Sequence, residues 1–91
     1  MLEIRRTTQF KKDLKKIIKQ RKNLALLEEI IQQLQKSLPL KSKHCDHLLI
    51  GEWCGFRECH ITPDWLLIYK IEDELQLLRL ARTGSHSDLF E

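Results

Sequence analysis

The sequence predicts an α+β fold: a two-helix hairpin packed on one face of a small, mainly antiparallel four-stranded sheet, in the order β-α-α-β-β-β. Three observations carry this expectation. Residues 7–38 hold two apolar stripes at helical spacing, joined by a short polar link. From Trp53 the texture changes to three runs rich in aromatic and branched side chains, separated by tight breaks. A chain of 91 residues suffices for one core and no second one, so a single domain over residues 1–91 must lay its helices against its sheet.

In chain order, residues 2–6 alternate apolar and polar side chains, which predicts a short strand. Thr7 or Thr8 can cap a helix whose apolar positions are Phe10, Leu14, Ile17 and Ile18. Lys11, Lys12, Lys15, Lys16 and Lys19 take its remaining faces. Asn23 suits the next cap, and Leu27, Ile30, Ile31 and Leu34 form the second stripe. Leu38-Pro39 ends that helix, because the residue before a proline avoids helical angles. A loop over residues 40–52 leads to the runs WCGFRECHI, WLLIYKIE and LQLLRLAR. Thr62-Pro63-Asp64 makes the first turn between them and Glu72-Asp73-Glu74 the second, which gives an antiparallel meander. The helices cover one face of the sheet and leave the other free to act.

Composition narrows the class. With 42% hydrophobic and 32% charged residues the chain is globular, too apolar for disorder. No apolar stretch approaches the roughly 20 residues that span a membrane, and residues 1–10 lack the apolar core of a secretory signal. A cytoplasmic protein is expected. The odd number of cysteines (Cys45, Cys54 and Cys59) argues against a disulfide framework, and their spacing matches no common zinc pattern. No metal and no other cofactor is expected. The net charge is +3, yet residues 1–23 hold nine Lys or Arg against two acids. Such a surface attracts a polyanion.

The strand order gathers chemistry at one rim. His60 closes the first run of the meander, Asp64 follows across the turn, and His86 lies just past the last run. In a meander the first and last strands are parallel, so their ends share an edge; Phe90 follows within about 13 Å of extended chain. His47 lies in the loop before the sheet. Imidazole both accepts and donates protons near neutral pH. Cleavage of RNA by internal transfer needs a base for the 2′-hydroxyl, an acid for the departing 5′-oxygen and a cation at phosphorus, with no metal. Arg57 and Arg82 are candidate cations, Lys12 and Lys16 candidate phosphate contacts, and Trp65 and Phe90 candidate rings for stacking on a base. Each residue also has a plainer reading: turn former, packing ring, or, for Arg57, a structural cation paired with Glu58 or Asp64.

Residues 46–71 (DHLLIGEWCGFRECHITPDWLLIYKI) and 77–90 (LLRLARTGSHSDLF) together resemble the YafQ branch of the RelE-type bacterial toxins. The resemblance covers more than half the chain by motif. It implies the toxin half of a type II toxin–antitoxin pair: a small cytoplasmic endoribonuclease that cuts messenger RNA on a translating ribosome, inhibited by a cognate antitoxin protein and monomeric when alone. It implies acid–base roles for His60, Asp64 and His86, help at the phosphate from His47, and orientation of the RNA by Phe90. Leu48 stands where the family pattern commonly has proline, and the three cysteines lie outside the pattern; neither departure touches this set. A different class of function remains in view: a non-catalytic basic module that binds RNA or protein, with its histidines structural. A metal-dependent enzyme or sensor is the third.

Overall fold

The computed structural model describes residues 1–90. Strand β1 (Glu3–Arg6) leads into helices α1 (Thr8–Lys19) and α2 (Leu24–Gln35). The two-residue strand β2 (His47–Leu48) precedes β3 (Arg57–Thr62), β4 (Trp65–Glu72) and β5 (Leu77–Gly84), and a short helix α3 (His86–Phe90) follows. The sheet has five strands in the order β1-β5-β4-β3-β2. Only the β1–β5 pair is parallel. The class is the expected α+β with its antiparallel meander. The expected count of four strands is corrected to five, because β2 adds a rung at the β3 edge.

Local chemistry sets the helix limits. The Thr7 hydroxyl accepts from the Phe10 N–H at 3.0 Å and caps α1. The same hydroxyl donates to the Ala81 carbonyl at 2.8 Å, next to an irregularity in the β4–β5 register. The Asn23 side chain caps α2 by accepting from Ala25 N–H. Both helices stop on a left-handed residue, Arg21 at φ 58° and Ser37 at φ 57°. After α2, Ser37 N–H bonds the Leu34 carbonyl and Leu38 N–H the Gln33 carbonyl, which satisfies the last free carbonyls. The helix therefore ends before Leu38-Pro39 acts on it.

The helices cover one sheet face. Phe10, Ile17, Leu27, Ile30 and Leu34 pack on Cys59, Ile61, Trp65, Leu67, Tyr69, Leu78 and Leu80. Ile18, expected in the stripe, is half-exposed, and the inward place is taken by Asp13, an acid the helix buries with partners. The opposite face is not bare. Leu66, Ile68, Ala81 and Leu89 form a second cluster there, flanked by Leu49, Trp53 and Phe56. Trp53 sits in a 3-10 turn at Gly51–Trp53 rather than in a strand, and β3 starts at Arg57. That turn and α3 flank the second face, whose centre is buried: Leu66, Ile68 and Ala81 are 1%, 0% and 4% exposed. No helix among the described residues is long and apolar enough to cross a membrane.

Candidate active site

Side chains on directly opposed residues of neighbouring strands point to the same face. One row runs His47–Glu58–Ile68–Arg82 across four strands, and the next runs His60–Leu66–Gly84 across three. Ile68 and Leu66 belong to the second cluster, so His47, Glu58 and His60 lie on the face away from α1 and α2. Neighbouring strands are about 4.7–4.9 Å apart, which puts the backbones of His60 and Gly84 about 10 Å from each other. His86 follows Gly84 by two residues and opens α3.

That helix is short and firmly held. Ser85 Oγ accepts from Asp88 N–H at 3.2 Å, and an Asp88 carboxylate oxygen accepts from Ser85 N–H at 3.3 Å. The pair is a reciprocal capping box. Lys16 of α1 binds the same carboxylate at 2.7 Å, and Leu89 plugs the second cluster. Lys16, Ser85 and the capping geometry hold the Asp88 carboxyl well below its ordinary value, at about 2. The His86 and Phe90 rings are 5.0 Å apart at a 42° tilt, both exposed. The tail expected beside the rim is therefore a capped helix that presents both rings to solvent.

The first row carries the densest electrostatics. Glu58 is buried at 6% exposure. A single oxygen, Oε1, lies 3.6 Å from His47 Nε2 and 3.7 Å from His60 Nε2. His47 Nδ1 is 2.6 Å from the Cys45 carbonyl, and the fourth histidine, His44, places its Nδ1 2.6 Å from the His60 carbonyl. A carbonyl only accepts, so both Nδ1 atoms donate. Asp64 is exposed in the β3–β4 turn, four residues after His60. Glu58 is absent from the sequence-based set, although alternation puts it on the side of the strand that carries His60; adjacency to Arg57 suggests an ion pair instead.

The two arginines are held by carboxylates. Arg57 faces the helix side, opposite Tyr69, and its Nε donates to Asp46 at 3.2 Å, where the Tyr69 hydroxyl also donates. Its partner is thus Asp46, not Glu58 or Asp64. Arg82 makes two 3.0 Å bonds to Asp13, which keep its guanidinium charged beyond the ordinary range. Lys12, Lys16 and Arg82 line a cleft of about 280 Å³ that reaches Gly84 and Asp88. Trp65 is 1% exposed and donates to Thr83 Oγ1 at 2.8 Å. Burial corrects its expected role: the indole is core and is not free to stack on a base.

Comparison with known proteins fits this architecture. The family model described as "Bacterial toxin of type II toxin-antitoxin system, YafQ" matches residues 2–91. The chain belongs to the YafQ toxin family. It is 42% identical over 89 residues to the mRNA interferase toxin YafQ of Escherichia coli K12, covering 97% of this chain and 95% of that protein. A crystal structure of a metal-bound toxin from Helicobacter pylori superposes with a TM-score of 0.93 at 44% identity, covering 99% of this chain and all of that one. The DinJ–YafQ toxin–antitoxin complex of E. coli contains a chain with a TM-score of 0.89 at 41% identity, covering 99% of this chain and 98% of that one.

Proposed function

We propose that this YafQ-family chain is an endoribonuclease that cuts messenger RNA on the translating ribosome, with His60 and His86 as its proton-transfer residues and Asp64 as their supporting carboxylate. A base takes the ribose 2′-hydroxyl proton, the 2′-oxygen bonds phosphorus, and the P–O5′ bond breaks as an acid protonates the leaving oxygen. His86 is the acid and His60 the base, with Asp64 orienting an imidazole; an aspartate at its reference pKa of about 3.9 is a weak base at neutral pH. His47 faces the phosphate and Phe90 positions a base or the RNA backbone. The observation that supports this reading is the row His60–Leu66–Gly84, with His60 two strands from Gly84 and Gly84 two residues before His86, which opens α3.

Further support comes from the curated E. coli relative, whose name is mRNA interferase toxin. By the same reasoning the partners are the ribosome with its mRNA and an antitoxin of the kind DinJ is for the E. coli protein, the compartment is the cytoplasm, and the free toxin is a monomer of one domain. The H. pylori relative was crystallised with a metal. Among the described residues no group of three or more His, Cys, Asp or Glu is arranged to hold one. The deciding experiment is induced expression with mapping of RNA ends. Wild type should produce new 5′-hydroxyl ends within coding regions, and a folded His86→Ala variant should not. Equal harmlessness of both proteins, with no new ends, would favour the binding module.

A further inference from the structure

We propose that Glu58 is a positioning residue that sets the ring tautomer of His60, leaving its Nδ1 as the proton-accepting atom. The proposal deepens the nuclease reading and rests on it for its catalytic consequence. It starts from a buried carboxylate that the reaction itself does not need. Burying a charged group without partners is costly, and Glu58 lies at 6% exposure with two imidazole nitrogens as its close polar neighbours.

The two rings face the same oxygen with different constraints. His47 Nδ1 is committed as a donor to the Cys45 carbonyl. Neutral His47 therefore turns a lone pair on Nε2 toward Oε1, which is repulsive, and only the doubly protonated ring can donate there. A neutral His47 thus offers Oε1 no hydrogen bond, which leaves His60 as the ring able to meet the carboxylate. His60 has no hydrogen bond to its Nδ1 among the described residues, so it satisfies Glu58 by carrying its proton on Nε2. Its bare Nδ1 then accepts the 2′-hydroxyl proton, and the resulting imidazolium is steadied by the carboxylate behind it. At 3.6 and 3.7 Å both contacts are longer than hydrogen bonds, and contacts of this kind tighten when substrate docks. His44 supports the arrangement from the other side by binding the His60 carbonyl at 2.6 Å.

The test is long-range ¹H–¹⁵N spectroscopy of the histidine rings in wild type, Glu58→Gln and Glu58→Asp, combined with RNA-cleavage kinetics. Wild-type His60 is expected in the Nε2–H form. Glu58→Gln, nearly the same size, should lose that preference, because its amide can offer an N–H to Nε2. Its kcat should fall about 100-fold or more while KM changes less than about threefold, as for loss of an orienting carboxylate. Glu58→Asp should keep the tautomer and recover part of the rate. A wild-type His60 in the Nδ1–H form overturns the proposal without any variant. So does a folded Glu58→Gln protein with wild-type kcat. If wild type cuts no RNA, the nuclease reading fails by itself, and the ring spectra still decide what Glu58 does.

Discussion

Cys59 lies at 0% exposure under the helices, whereas Cys45 and Cys54 are exposed. Burial, with the charges of Asp46 and Glu58 nearby, pushes the Cys59 thiol up to about 12. A thiol reacts as its thiolate, so a disulfide reagent at neutral pH should titrate two thiols in the native protein and the third only on unfolding. Rapid modification of all three in the native state would contradict the packing. Asp13 offers a second measurement at this scale. It is 8% exposed and accepts from Arg82 twice, from Thr83 N–H and from Gln9. Asp13→Ala leaves a half-buried guanidinium and a buried N–H without their acceptor, a loss of about 2–4 kcal/mol in urea unfolding. Neither role was legible in sequence. Helical spacing reserves the inward positions for apolar side chains, and only the structure reveals an acid among them. Glu58 was hidden differently: the strand's period of two places it with His60, but its neighbour in the chain is a cation.

Among the elements, the meander and the helix pair are legible because their signals are long and periodic. The strand β2 is two residues long and carries no period at all. The strand limit at Arg57 was obscured because the apolar Trp53 and Phe56 pack as an edge-to-face pair at 5.3 Å outside the ladder. Helix α3 has five residues, too few for a stripe, yet its capping spacing from Ser85 to Asp88 is present in the chain. That helix should come loose in acid. The Asp88 carboxyl is held from 3.8 down to about 2, so its contribution is complete above the ordinary value and is lost as pH falls through the folded one. Between pH 4 and 2 the wild-type stability should drop on this account. Asp88→Asn should be less stable at neutral pH and flatter across that window. Parallel stability–pH curves for the two proteins would remove Asp88 from the anchoring of the site.

At the scale of the whole molecule the charge is split rather than merely positive. Residues 1–23 carry nine cations against two anions, or +7, and residues 24–91 carry seven against eleven, or −4, together the net +3. The positive part is largely α1, whose Lys16 already grips α3 and whose Lys12 lines the cleft that ends at Gly84. If the chain cuts RNA as proposed, the positive charge of α1 attracts the polyanion toward the side of the molecule where Lys16 holds α3. Steering of this kind acts on encounter and is screened by salt, with a Debye length of about 8 Å at physiological ionic strength. Lys12 and Lys15 are exposed and lie four and one positions before Lys16. The double variant Lys12→Glu with Lys15→Glu should lower kcat/KM for ribosome-bound RNA about tenfold or more at low salt. The loss should fall on KM and shrink to within about threefold near 0.5 M salt, where single-strand phosphate contacts are largely screened. A loss confined to kcat and indifferent to salt would mean that α1 acts by placing α3 and not by its field.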